Sequence, residues 1–189
     1  MAAADQRVLE SERLVMRPSD DADLADLAAL MADPEVAGRL YHGVLDENGA
    51  RALLEDYKAT WRDHGYGMWS LRRRDDDAFI GVSGLWNRDD GLGVATRIAL
   101  AKAAWGQDFA GEAGRAILRF AFEVAGLERL VSITRASNPV AQRALIRIGW
   151  RLEERVEKDG RVLLRYAMTR EEWLQRHDER RRSSVRLPP

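Results

Sequence analysis

The sequence predicts an α/β chain of mixed (α+β) character, with a central mixed, mostly antiparallel sheet of six to seven strands and helices on both faces. Three observations carry this. Hydrophobic spacing alternates between period two and period 3.6 along most of the chain, hairpin signals come first, and β-α-β-α spacing follows later. At 189 residues the chain fits one domain. That domain is expected to span 8–176, after a flexible 1–7 and before a basic, mobile tail at 177–189.

Val8 to Arg17 reads as an opening strand, with Leu14 and Met16 on one side. Ser19-Asp20-Asp21 offers capping oxygens to a helix whose Leu24, Leu27, Ala28 and Met31 fall on one stripe. Asp33-Pro34 ends that helix and starts a short piece, Pro34 to Leu40. A longer helix is expected over Glu47 to His64, burying Leu53, Tyr57 and Trp61 and closed by Gly65 in a left-handed cap. Strands Gly67–Arg72 and Phe79–Trp86 flank the charged turn RRRDDD, and Asn87 to Gly93 forms a second turn. Val94–Leu100 alternates Val94, Thr96, Ile98 and Leu100 against Ala95, Arg97 and Ala99. The next helix runs from about Ala110 to Ala125, ended by Gly126, and Arg129–Thr134 is a β-branched strand. Asn138-Pro139 caps a helix with Ala141, Ala144, Leu145 and Ile148 on one stripe, stopped by Gly149. Trp150–Val156 and Arg161–Met168 meet at Lys158-Asp159-Gly160, a hairpin signal. Thr169 and Glu172 form a capping box for a final helix.

Composition closes several classes of function. The chain has no cysteine, which removes disulfides, thiolate catalysis and Cys-ligated metals. With 30 Lys+Arg against 31 Asp+Glu, there is no global positive field for a nucleic-acid backbone. The three histidines show no metal-ligand spacing, so no metal is expected. No signal peptide and no apolar run of spanning length is present, so no membrane partner is expected and a cytoplasmic location follows by exclusion. The stretch from Arg180 to Pro189 carries four Arg and no acid, and is read as a solvated end.

Chemistry is most legible in Ala99 to Ala113. A strand ends near Leu100, a tight loop holds Trp105 and Gly106, and a helix begins close to Phe109. Free N–H groups and the positive helix end can cradle a pyrophosphate there. An ordinary strand-to-helix loop is the competing reading. The loop has neither the P-loop nor the dinucleotide glycine pattern. His64 sits at a helix C-terminus, where it complements the dipole. Trp61 and Trp69 suit the core, while Trp86 at a strand end is placed to wall an acceptor pocket.

In order along residues 9–174 come Glu12-Arg13-Leu14…Arg17-Pro18, Asp33-Pro34-Glu35-Val36, Gly65-Tyr-Gly-Met-Trp69 and Ile80-Gly-Val-Ser-Gly-Leu85. Trp105-Gly-Gln-Asp-Phe-Ala110 with Glu112-Ala113 follows, and then Asn138…Gln142-Arg143…Gly149-Trp150. Together these resemble the GNAT superfamily of acetyl-CoA-dependent N-acetyltransferases, and within it the branch acetylating ribosomal-protein N-termini. The resemblance implies that Val94–Ala101 and Arg129–Thr134 are parallel strands splayed into a V. It implies that pantetheine of acetyl-CoA pairs with main-chain groups near Leu100 and Ala101. The pyrophosphate would sit on the N–H groups of Trp105, Gly106, Gln107, Asp108, Phe109 and Ala110, with Gly111 in the same cradle. Asn138 and Arg143 would lie near the coenzyme on its other side. Tyr41 and His42 fall in a region that lines the acceptor side in relatives, against the plain reading of surface loop residues.

The same resemblance exposes departures. The loop's usual second glycine is Asp108, whose carboxylate opposes a phosphate if it faces inward and costs little if it faces solvent. Ala95 stands where relatives often carry a Glu, Leu145 where a tyrosine acid is common, and Ala141 where some use a serine. The catalytic residue is therefore unassigned. The expected activity is acetyl transfer to a primary amine (a protein N-terminus, an amino acid or a small amine) by direct attack in a ternary complex, with a homodimer left open. The alternatives are an impaired acyl-CoA-binding or regulatory protein on the same fold, and a ribosome- or nucleic-acid-associated module acting through the tail.

Overall fold

In a computed structural model the described residues are 5–40, 42–158 and 160–176. Tyr41, Asp159 and the basic tail 177–189 lie outside them. Eight strands form one sheet in the order β1-β2-β3-β4-β5-β6-β8-β7. The strands are β1 (Leu9–Glu10), β2 (Leu14–Pro18), β3 (Met68–Arg73), β4 (Phe79–Asn87), β5 (Val94–Leu100), β6 (Arg129–Arg135), β7 (Arg151–Lys158) and β8 (Arg161–Thr169). The expected six to seven strands become eight because the opening strand breaks into an antiparallel pair, Leu9 facing Met16. The break falls at Ser11-Glu12-Arg13, where the Ser11 hydroxyl and the Arg13 N–H both donate to the Glu112 carboxylate at 2.7 Å. Binding that buried acid folds the polar tripeptide out of the strand.

Helices α1 (Leu24–Ala32), α2 (Pro34–Ala37) and α3 (Glu47–His64) cover one face. Asp20 caps the entry to α1 through a single 3₁₀ turn, accepting from the Ala22 N–H at 2.9 Å, and Asp46 caps α3. The short α2 ends at Ala37, three residues before its expected end. Leu27, Leu30 and Met31 of α1 pack with Leu53, Leu54 and Tyr57 of α3 over Met68, Val82 and Ala99 of the sheet. On the other face α4 (Phe109–Arg119) buries Phe109, Ala113, Ile117 and Leu118. A π-helical turn at Phe120–Val124 continues α4, so the regular helix stops earlier than its periodicity suggests. Helix α5 (Pro139–Ile148) is capped by Asn138 and ended by Gly149, and a last helix occupies 170–176 behind the Thr169–Glu172 capping box.

Six of the seven strand pairs are antiparallel, but β5 and β6 are parallel and meet at one register position, Ala95 opposite Val131. Beyond it β6 pairs only with β8, and β5 only with β4. The two strands therefore open as a wedge toward their C-terminal ends. Gly81 and Gly84 keep β4 close to its neighbours. A Cβ at Gly81 would stand 2.2 Å from the Ala99 carbonyl oxygen, and one at Gly84 would stand 2.3 Å from the Gly67 carbonyl oxygen.

Candidate active site

The wedge exposes specific main-chain groups. The Ala101 N–H donates to the Ile80 carbonyl at 2.9 Å, which fixes the phase of the β4–β5 ladder. In an antiparallel ladder alternate residues turn their N–H and C=O away from the partner. On β5 these are Val94, Thr96, Ile98 and Leu100; Val94 and Thr96 flank the Ala95–Val131 bridge, and Ile98 and Leu100 meet no strand on that side. The Ala101 N–H is thus spent on β4. The Leu100 carbonyl accepts the Trp105 indole N–H at 2.8 Å. The open rail consists of the Ile98 groups and the Leu100 N–H, slightly deeper than the Leu100–Ala101 pair expected from sequence.

Beyond β5 the chain makes a 3₁₀ turn at Lys102–Ala104, whose last bond uses the Trp105 N–H. From Gly106 to Gly111 the backbone N–H groups make no hydrogen bond among the described residues, and the first helical bond of α4 is Glu112 N–H to the Asp108 carbonyl. The run of open amides is therefore 106–111, not 105–110. Gly106 and Asp108 both adopt left-handed backbone, φ 76° and 60°, which turns successive amides toward a common side. The loop is braced from behind. Gln107 donates its side-chain amide to the Ala103 carbonyl at 2.7 Å, and Arg13 reaches the Gln107 carbonyl at 3.0 Å while stacking on the Phe109 ring. Phe109 contributes an amide to the loop and its side chain to the core.

Asp108 does not cap α4 with its side chain. Its carboxylate lies over Gly111, with Arg147 Nη1 of α5 at 2.9 Å and Arg115 Nη2 at 3.5 Å. It covers the helix end without hydrogen-bonding its amides, so the expected competition for N–H donors is replaced by an ion cluster at the same mouth. Arg115 and Arg147 went unnoticed in the sequence. The only signal was the Arg143–Arg147 spacing of four, which places two cations on one side of α5.

The remaining expected residues are distributed as follows. Asn138 uses its side-chain oxygen to cap α5 at the Ala141 N–H, 3.1 Å away. Arg143 is exposed, with no ion pair among the described residues. Gln142 holds the turn before α5 by donating to the Ala136 carbonyl at 2.8 Å. A recess of about 440 Å³ lined by Arg135, Ala136, Ser137, Gly160, Arg161 and Val162 lies at the open end of β6. Ala95 is buried at the wedge vertex, and Leu145 packs against the core. Tyr41 lies outside the described residues.

On the α1–α3 face, His42 and Trp86 come together around Arg97 of β5, which the sequence reading passed over. An Arg97 Nη donates to His42 Nε2 at 2.6 Å, and the guanidinium carbon sits 4.0 Å from the centre of the Trp86 ring. Because guanidinium can only donate, His42 accepts as a neutral ring with its proton on Nδ1. Burial and the Arg97 charge both hold the His42 pKa below its ordinary value. Beneath them the Tyr57 hydroxyl is buried and makes no hydrogen bond among the described residues, and burial pushes its pKa up. His64 stacks on Tyr66, away from this group, in the structural place expected of it.

A sheet with one splayed parallel pair, helices on both faces and a cradle of open amides at the splayed end defines an acyl-coenzyme-type transferase fold. The family model of the acetyltransferase (GNAT) domain matches residues 13–151. The chain belongs to the GNAT acetyltransferase family. It is similar to the uncharacterized N-acetyltransferase YoaA of Bacillus subtilis, 23% identical over 154 residues, covering 77% of this chain and 84% of that one. Among solved structures, an acetyltransferase from Agrobacterium tumefaciens superposes with TM-score 0.74 at 26% identity, covering 85% of this chain and 93% of the other. A spermidine N-acetyltransferase from Vibrio cholerae, in complex with CoA and spermine, gives TM-score 0.74 at 16% identity, covering 87% and 99%. No helix of the described residues is long and apolar enough to cross a membrane, and none of their His, Asp and Glu side chains form a group of three suited to a metal.

Proposed function

We propose that the chain moves the acetyl group of acetyl-CoA to a primary amine by direct attack within a ternary complex. The observation that carries this is the wedge: β5 and β6 pair at one position only, and six consecutive unbonded amides stand at its mouth. Pantetheine has the Ile98 groups and the Leu100 N–H as an edge to pair with, and the diphosphate has the amides of 106–111 and the helix end. Arg115 and Arg147 stand at the same mouth, paired there with Asp108.

In the reaction the amine lone pair attacks the thioester carbon, the carbonyl electrons move to oxygen, and collapse of that oxyanion expels the coenzyme A thiolate. The amine proton leaves to water or to the departing sulfur. The Ile98 N–H is the first unpaired donor beyond the vertex and is the group we assign to the developing oxyanion. Ala95, Ala141 and Leu145 supply no acid or base, so rate rests on proximity and on that donor. Acceptors of the class include a protein N-terminus, the substrate of the branch the sequence resembles, and an amino acid or another small amine.

An acyl-CoA-binding protein with impaired turnover is the second reading, favoured by the Asp108 ion cluster in the coenzyme mouth. Calorimetric titration of acetyl-CoA, followed by thiol release across an amine panel, separates the two. The proposal expects micromolar-range binding and amine-dependent thiol release. Binding without release for any amine overturns the enzyme, and absence of binding overturns both.

A further inference from the structure

We infer that the acceptor amine carries a carboxylate and that Arg97 binds it. This rests on the acetyl-transfer reading and narrows it to one class of acceptor.

Arg97 is half-buried on the α1–α3 face of β5, two residues from the wedge vertex at Ala95 and pointing to the same side of the sheet. At a strand rise of about 3.3 Å per residue, its Cα lies roughly 7 Å from that vertex, within the reach of a molecule whose amine addresses the thioester. Its cationic neighbour Arg88 is satisfied by Asp90, but no carboxylate pairs with Arg97 among the described residues. Asp56 of α3 influences His42 and Tyr57 without forming an ion pair to Arg97. The groups that do surround the guanidinium are a neutral imidazole, an indole face and a phenol. Those hold its plane in place and leave its charge uncompensated. A charge withdrawn from water without an opposite charge is costly, and an anionic group on the acceptor would relieve that cost.

The stoichiometry selects the ligand. One guanidinium fork matches one carboxylate in a bidentate pair, and a single positive charge balances a monoanion better than a phosphate dianion. Tyr57 stands beneath that position, its buried hydroxyl close enough to act on the guanidinium charge. A polyamine, the ligand in the Vibrio cholerae relative, would instead place cations against Arg97.

The test compares matched acceptors on the full chain: free amino acids and dipeptides, their C-terminal carboxamides, and spermidine. The carboxylate member of each pair should show at least tenfold higher kcat/KM, mainly through KM. Arg97→Gln should lower kcat/KM for the carboxylate members about tenfold more than for the carboxamides, erasing that preference, and Arg97→Lys should restore part of it. A structural arginine would behave otherwise, lowering both acceptors together and the melting temperature with them. Arg97→Gln should instead melt no lower than the parent, since it removes an unpaired charge. If that variant fails to fold, the structural role is upheld and the inference falls. Preference for spermidine or for carboxamides overturns the carboxylate alone, while failure of acetyl-CoA to bind overturns the acetyl-transfer reading beneath it.

Discussion

Removing the Asp108 charge should tighten acetyl-CoA binding. The carboxylate stands over Gly111 at the N-terminal end of α4, where the diphosphate of the coenzyme would approach the open amides. Two unit charges ~5 Å apart repel by about 3 kcal/mol at an effective dielectric of ~20 and by about 1 kcal/mol in water. The Asp108 side chain is 41% exposed, so screening puts the penalty toward the lower figure. A net gain of about 1 to 1.5 kcal/mol corresponds to binding tighter by roughly five- to tenfold. Arg147 and Arg115, released from Asp108, would act in the same direction.

Asp108→Asn and Asp108→Gly together divide charge from shape. Both residues accept the left-handed backbone that position 108 requires, φ 60°. Asparagine keeps the side-chain volume and loses the charge, so it should capture most of the gain. Glycine should gain slightly more by also removing the Cβ. Isothermal titration with acetyl-CoA at low and at physiological salt is the assay, and the advantage of both variants should shrink as salt rises. Unchanged or weaker binding by Asp108→Asn would refute the reasoning, because it would show the carboxylate orienting the two arginines rather than opposing the phosphates.

Other outcomes follow from the same geometry. Glu112 is buried yet ionised below its ordinary value of 4.5, because bonds from Ser11 and Arg13 outweigh the cost of burial. A carboxyl with a depressed folded pKa stabilises above its unfolded pKa and loses that contribution as pH falls through the folded value. Glu112→Gln should therefore destabilise by about 2 kcal/mol at neutral pH and show a flatter melting profile than the parent below pH 4.5, read by thermal denaturation across pH. The His42 ring should titrate below 6.5 by NMR and move upward in Arg97→Gln, since part of its depression comes from that charge; a parent value at or above 6.5 would contradict the contact. Gly84→Ala should cost about 2–3 kcal/mol in urea denaturation, because its Cβ would meet backbone of β3 that cannot move aside; a loss under 1 kcal/mol would mean the sheet relaxes there.

Most elements were legible from local rules. The i, i+4 burial of Leu53, Tyr57 and Trp61 and the Gly65 cap reproduce α3 residue for residue, and the Thr169–Glu172 box marks the last helix start. What local rules could not show was produced by distant partners. Glu112 breaks the first strand from 99 and 101 residues away, and Arg147 captures Asp108 across α4 and α5. Arg97 looked like one polar position in an alternating strand. Its meaning depends on Tyr57, His42 and Trp86, which lie near it only after the sheet and α3 have packed.

Amide hydrogen exchange with and without coenzyme A probes the coenzyme groove at the level of individual bonds. The Ile98 and Leu100 amides and those of 106–111 should exchange quickly in the free protein and slow together on adding the ligand, while Ala99 and Ala101, already paired with β4, should change little. Protection elsewhere on the surface, with these amides unaffected at saturating coenzyme A, would contradict the wedge as its seat.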